Sequence, residues 1–414
     1  MPGEYQACYP SRLAMTERAR HIFYMIVFPL GHFSVDTPGG ALWLIAPAIG
    51  LAWDLSPAEI GFIITAHQLG AGIGYIPAGV VADRFSRRGV MLTMTVWWVV
   101  VGYLIASVAP GYWTLVFLLA VAAAGDAAWH PMATGTMVEH MPNRRALALG
   151  VHLTGGMMAE VVGPLLVGFL LVYLDWQFVF RNAVVPAILM GVSLLYFHRH
   201  ILPSHEPAIT KADLAVMLRV WRTPAGLAMF GLGVTYSLSF VALMAMSPLY
   251  FQDYHGYSSA WAGGAFAAML LGGVVAAPLV GQLSDRWGRK PVVVISAVLG
   301  AAGILLTAFS SHPVLLVLGV VVAGTALSGM RPVYLAAAVE MIGRRESTSL
   351  GLIYGIMDGL GAVGAVLAGL AGSNDLRYAL AFAAAAALAS AIFALAHPFK
   401  VAMVGPLLTE MGEP

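Results

Sequence analysis

Gly79-Val80-Val81-Ala82-Asp83-Arg84-Phe85-Ser86-Arg87-Arg88 returns as Gly281-Gln282-Leu283-Ser284-Asp285-Arg286-Trp287-Gly288-Arg289-Lys290, an offset of 202 residues. Each copy joins one apolar run to the next, in the same order of glycine, carboxylate and clustered cations. Two further markers repeat at an offset of 201: His130-Pro131 with Glu139 returns as Arg331-Pro332 with Glu340, and Gly150 returns as Gly351. Three separated markers at nearly one spacing make the chain a duplication.

The 414 residues around these loops are 60% apolar and 10% charged, with a mean hydropathy of +0.83. A soluble domain carries about 25% charged residues, so this chain has too few charges to cover a water-facing surface of its size. Its apolar residues fall in uncharged blocks such as 90–109 and 314–330, close to the ~18 residues that mark a membrane span. Lipid is the expected solvent. Polar breaks divide the chain into twelve spans, at 21–50, 57–81, 89–108, 112–139, 147–172, 178–197, 224–250, 258–281, 291–309, 313–340, 348–371 and 376–397. Ser56-Pro57 and Ser310 with Pro313 are helix-start signals. The first apolar run is too long for a signal-peptide core and reads as the first span.

With both termini inside, cytoplasmic segments collect 18 of the 21 lysines and arginines, the exceptions being Arg181, Arg331 and Arg377. That bias orients the chain by the positive-inside rule and supports the even span count. The longest hydrophilic stretch, 198–223, contains Pro203, Pro207, Lys211 and an amphipathic piece at 216–221. It reads as a cytoplasmic linker, partly on the membrane surface. The expected organisation is a first bundle at 1–197, the linker at 198–223, a second bundle at 224–400 and a cytoplasmic tail at 401–414. Two repeated six-helix halves place a substrate site between them near the midplane, worked by alternating access.

Other classes fall away. Net charge is +1 with no basic tract, which argues against nucleic acid as a partner. The single cysteine, Cys8, excludes an internal disulfide and a cysteine metal cluster. The chain has no phosphate-cradling Gly-x-x-x-x-Gly-Lys-Ser/Thr loop, so ATP does not drive it. Neither a cofactor nor a catalytic constellation is expected, and the protein is read as a transporter and not an enzyme.

The repeated Gly-x-x-x-Asp-Arg-x-x-Arg-Arg/Lys loop resembles the signature of the major facilitator superfamily, and Asp175-Trp176-Gln177-Phe178-Val179-Phe180-Arg181 fits the same pattern. The resemblance covers nearly the whole chain. It implies an all-α membrane protein whose twelve helices form two pseudo-symmetric six-helix bundles. Within the superfamily, Gly31-His32 with Asp36, Trp129-His130-Pro131, Gly155-Gly156 and Gly163-Pro164 resemble the fosmidomycin-resistance branch of drug/proton antiporters. Met132 and Gly135 depart from that branch, which usually has glutamate and often arginine there. The resemblance further implies that spans 1, 4, 7 and 10 line a central cavity, and that the charged loops act as a gate. The gating residues would be Asp83, Arg84, Arg87 and Arg88 with Asp285, Arg286, Arg289 and Lys290, aided by Glu139, Glu340, Arg144 and Arg344.

Charges within spans carry the functional signal, because an ionised side chain at the bilayer centre costs at least ~2.5 kcal/mol. They are His32, Asp36, His67, Asp126, His130, His152, Glu160, Arg331 and Asp358. His32 and Asp36 are four residues apart and share a helical face, as do Asp126 and His130. A buried Asp/His pair can carry a proton, so Asp36, then Asp126, then Glu160, are the expected coupling carboxylates, with His32 and His130 beside them. Arg331, at the repeat position of His130, has the planar donor fork that suits a carboxylate or phosphonate. It is the expected substrate contact, with Asp358, Trp129, Tyr236 and Trp43 as further wall residues. The function expected is a proton-coupled antiporter exporting a small anionic or amphiphilic compound, working as a monomer in the bacterial inner membrane. Two alternatives stand: a divalent-metal transporter using His32, Asp36, Asp126 and His130, and proton-driven uptake of a small carboxylate.

Overall fold

A computed structural model describes residues 15–84, 87–141, 145–202, 219–342, 346–397 and 399. Its elements, in order, are α1 (Glu17–Trp53), α2 (Pro57–Arg84), α3 (Arg88–Ala106), α4 (Tyr112–His140), α5 (Arg145–Leu170), α6 (Trp176–Ala183) and α7 (Val185–Phe197), then α8 (Pro224–Leu249), α9 (Ser259–Trp287), α10 (Arg289–Phe309), α11 (Pro313–Ile342), α12 (Glu346–Gly361), α13 (Val363–Ala371) and α14 (Leu376–Ala396). No strand occurs among the described residues. Eleven stretches are long and apolar enough to cross a membrane. The twelfth expected crossing, α2, has 28 residues but carries Glu59, His67 and Gln68, and is not among those eleven.

Local chemistry sets the helix ends. The Ser56 hydroxyl and Glu59 carboxylate form a reciprocal box at the start of α2: Ser56 N–H donates to Glu59 at 2.8 Å and Glu59 N–H to Ser56 at 3.3 Å. Thr223 and Ser258 cap α8 and α9 in the same way. Two expected spans are each broken in two. The sixth divides at Val184 because Pro186 has no N–H to give the Asn182 carbonyl. The eleventh divides at Ala362, where the Thr65 hydroxyl from α2 inserts into the helix ladder. It donates to the Ala362 carbonyl at 2.7 Å and accepts from Val366 N–H at 3.3 Å.

α1 packs on α5, and α4 on α2 and α3; α11 packs on α9 and α10, and α14 on α8 and α10. Glycines permit these approaches: a Cβ at Gly70 would overlap the Ala120 backbone of α4, and one at Gly303 would lie 2.6 Å from Ala323 N of α11. The first seven helices meet the last seven at two seams. In one, Gly61 of α2 lies against Ala365 of α13, and Gly369 against Pro57. In the other, Gly168 at the end of α5 abuts Gly263 and Ser259 of α9. Both seams lie at the end of the bundle opposite the repeated loops. Toward the loop end, a Cβ on Gly135, Gly150, Gly355 or Gly359 would meet nothing within 4 Å among the described residues. The close glycine contacts thus seal the two groups together at the end opposite the loops.

Replacing Thr65 by valine keeps its shape and deletes both ladder contacts. The sealed form should weaken by about 0.5–1.5 kcal/mol for each lost bond, read as raised thiol reactivity at a cysteine placed in the α2/α13 seam.

At the loop end, the Arg289 guanidinium donates to Asp285 at 2.7 Å and to Glu340 at 2.6 Å. It thereby joins α9, α10 and α11, all within the second group of helices. Arg87 is exposed and Arg88 buried. Phe85, Ser86, Arg144, Arg344, the stretch 203–218 and the tail 401–414 lie outside the described residues, as do the side chains of Asp83, Arg84 and Asp358. The expected gate is therefore visible on its second copy alone. Arg289→Ala should lower thermal stability by about 1 kcal/mol, the upper range for a partly exposed pair, and Arg289→Lys by less, measured by thermal unfolding in detergent.

Candidate functional site

Four of the five residues expected to share protons, all but Glu160, converge on one buried cluster contributed by α1 and α4. His32 Nε2 lies 3.1 Å from Asp36 Oδ2, while His130 Nε2 lies 3.5 Å from Asp36 Oδ1 and 3.5 Å from Asp126 Oδ1. Helical spacing accounts for the two i,i+4 contacts. The third contact, His130 to Asp36, is tertiary and brings the two pairs together.

α5 adds a fifth member that its sequence position alone did not place. The His152 ring stacks on His32 at 4.3 Å between centroids and 28° between planes. The backbone carbonyl of His152 accepts a hydrogen bond from His32 Nδ1 at 2.9 Å. A carbonyl cannot donate, so His32 Nδ1 carries a proton and Nε2 is left facing the Asp36 carboxylate. Gly156, one turn along α5, makes room for this pair: a Cβ there would lie 2.5 Å from His32 Nε2 and 2.9 Å from Asp36 Oδ2. Gly156→Ala should displace the carboxylate and reduce transport at least tenfold with little loss of folded protein, a test by initial-rate uptake against purified yield.

A second polar pair borders the cluster. Tyr103 of α3 donates its hydroxyl to His67 Nε2 of α2 at 2.6 Å, and His67 Nδ1 lies 3.3 Å from Gln68 Oε1. A Cβ on Gly39 would meet Asp126 Oδ2, the Tyr103 hydroxyl and the His67 ring at 3.4–3.5 Å, so the three converge on the space that this glycine leaves.

The remaining expected site residues are dispersed. Glu160 lies on α5 with an exposed side chain, its backbone beside Gly40 of α1. Trp129 has 0% exposure and packs beneath Gly31 against Phe28, so in this state it is core and not cavity wall. Tyr236 is also buried, stacked on Phe240 at 6.1 Å. Trp43 faces Phe266 of α9 at 6.5 Å, across the two groups of helices. Arg331, on α11, holds its guanidinium 5.5 Å from the centre of the Tyr354 ring, a cation–π contact that separation from His130 in sequence does not reveal.

Among the described residues, fourteen helices, with eleven stretches apolar enough to cross a membrane, hold a buried polar cluster between α1, α4 and α5, as a membrane-spanning protein with ionisable groups in its core would. The chain matches the family model of the Major Facilitator Superfamily over residues 30–273 and 229–402, and it belongs to that superfamily. It is 24% identical over 366 residues to a putative metabolite transport protein of Haemophilus influenzae, covering 86% of this chain and 88% of that one. To a gallate transporter of Pseudomonas putida it is 27% identical over 373 residues, covering 81% of each chain. Among solved structures, it resembles a D-xylose–proton symporter with a TM-score of 0.72 at 16% identity, covering 90% of this chain and 97% of that one. It also resembles an inward-facing bacterial homologue of the lysosomal transporter Spinster, with a TM-score of 0.74 at 14% identity over 94% and 98% of the two chains. The protein is thus a multi-pass transporter of small molecules, and its superfamily is not one of enzymes. These relatives lend no support to the fosmidomycin-resistance branch.

Proposed function

We propose that this chain is a proton-coupled carrier that takes up a small organic anion, with the His32–Asp36–His130–Asp126 cluster as its proton site. The observation that carries the reading is the tautomer of His32. Its Nδ1–H is committed to the His152 carbonyl at 2.9 Å, and its Nε2 lies 3.1 Å from Asp36 Oδ2. A lone pair and a carboxylate oxygen repel at that distance, so one proton belongs between them. His130, 3.5 Å from a carboxylate oxygen of both Asp36 and Asp126, offers the next station.

The anion belongs opposite this cluster, on Arg331, which occupies the repeat position of His130 on the second group of helices. Asp36 and Asp126 together outweigh the single positive charge of Arg331, so a proton on the cluster brings the cavity to neutrality and favours the anion, while its loss leaves a net negative charge that repels it. Both can then cross together. Relatives named for gallate and for nitrate or nitrite support an anion as cargo, and this favours uptake over the export of amphiphilic drugs. The two groups of helices, 1–197 and 224–400, are the rocking bodies, and Asp285–Arg289–Glu340 belongs to the gate. The basic-residue bias supports a bacterial inner membrane as the location, with both termini and the repeated loops on the cytoplasmic side.

In proteoliposomes, an inward proton gradient should drive accumulation of a small aromatic carboxylate, and collapsing the gradient should stop it. A response to amphiphilic drugs alone, with gradients of the opposite sense, would restore the export reading. Arg331→Ala should raise the KM for the anion at least tenfold, and Arg331→Lys by less, because lysine loses the planar fork. An unchanged KM in Arg331→Ala would make this arginine a counter-charge only.

A further inference from the structure

We propose that the cluster is also a binding site for one divalent d-block cation, Zn²⁺ above all, and that its occupancy arrests transport. The arrest rests on the proton-coupling reading; the binding does not. The ring nitrogens of His32, His130 and His152 lie within 4.8 Å of one another, as do ligand atoms of Asp36, Asp126 and His130. The two triads share His130, so it and four neighbours offer nitrogen and oxygen donors for one ion on either side of it.

His152 points the inference toward a ligand. It is 1% exposed, neither ring nitrogen has a hydrogen-bond partner of ordinary geometry, and it makes only a loose approach to the Phe28 carbonyl. Its ring stacks on His32 and its backbone carbonyl receives His32, but neither ring nitrogen is used in the proton pair. A buried imidazole left in that state is costly, and a cation held among the histidines would satisfy it. The carboxylate atoms Asp36 Oδ1 and Asp126 Oδ1 are likewise buried without a hydrogen bond.

The donor set selects the ion. Imidazole and carboxylate suit Zn²⁺ and its neighbours, whereas Ca²⁺ and Mg²⁺ require six or more oxygens. The His32 Nδ1–H bond to a backbone carbonyl is the outer contact that typically fixes a metal-binding histidine and presents its other nitrogen. The side chain of His130 is 23% exposed, which leaves a way in. An ion held here displaces the shared proton from between His32 and Asp36. It also ties α1, α4 and α5 of the first group together, and its fixed charge blocks the charge change that transport requires.

The test uses the full chain, purified without a histidine tag, with ZnCl₂ and CoCl₂ as probes. Equilibrium dialysis should find one strong Zn²⁺ per chain, undisturbed by excess Mg²⁺ or Ca²⁺, and Co²⁺ should give the intense visible bands of a four-coordinate site. His152→Gln should weaken binding roughly 10–100-fold, at least the cost of losing an outer contact. In the transport assay, the same variant should need at least tenfold more Zn²⁺ than wild type to halve its own metal-free rate. Asp126→Asn is the second binding variant, should His152→Gln fold poorly. A double His198→Gln/His200→Gln variant, altering the exposed histidines that follow α7, should bind as before. Absence of binding, or binding lost only in that double variant, would overturn the site. Binding without arrest, or Zn²⁺ carried across the membrane as cargo, would overturn its inhibitory role. If the proton reading is wrong, dialysis still reports the site, so the two failures remain distinct.

Discussion

Asp36→Asn is expected to abolish gradient-driven accumulation while leaving the carrier able to exchange substrate for substrate. The amide keeps the size of the carboxylate and some of its hydrogen bonds, so α1 and α4 should still pack. It cannot carry the charge that gives the proton between His32 and Asp36 its place, 3.1 Å across. One coupled proton and a pH difference of about two units supply about 2.7 kcal/mol, a roughly hundredfold accumulation. That hundredfold should fall to equilibration, with counterflow near the wild-type rate. Asp126→Asn should have a smaller effect in the same direction, because its nearest partner, His130, stands at 3.5 Å and is shared with Asp36. Full accumulation by Asp36→Asn would remove this residue from the coupling site.

Gly61→Val should have the other large effect, at the sealed end. A Cβ on Gly61 would overlap the Ala365 carbonyl, with the carbonyl carbon at 2.7 Å and Val366 Cα at 3.0 Å. Those atoms are helix backbone and cannot turn aside as a flexible side chain would. Overpacking costs about 1–3 kcal/mol, which shifts an equilibrium between two conformations roughly 5- to 150-fold. The variant should fold, favour the form with this seam open, and transport slowly. With Cys8 replaced by serine, a cysteine at Ala58, beside Gly369 in the same seam, should react faster with an impermeant thiol reagent. Unchanged labelling with normal transport would mean that the seam does not open during the cycle.

The sequence was most informative where function depends on spacing along one helix. His32 with Asp36, and Asp126 with His130, are each four residues apart, and both pairs form in the structure. The helix start at Ser56-Pro57, the repeated loops and most span limits were legible for the same reason, since each is local or recurs at a fixed offset. Tertiary convergence was not legible. His152 is 120 residues from His32 and enters the cluster only because α5 packs on α1 through Gly155 and Gly156. The break at Ala362 comes from a hydroxyl 297 residues away, Thr65, and no pattern within the eleventh span announces it. Trp129 misled for a related reason: an indole next to a functional histidine can face either side of its helix, and here it faces Gly31 and Phe28.

The central claim is that a proton crosses with the substrate. The direct measurement follows external pH with an impermeant dye while wild-type proteoliposomes, with no imposed gradient, receive a pulse of a small aromatic carboxylate. The account predicts external alkalinisation that tracks uptake and disappears in Asp36→Asn. Uptake with no pH change, or external acidification, would contradict it, and the second result would mark the protein as an antiporter.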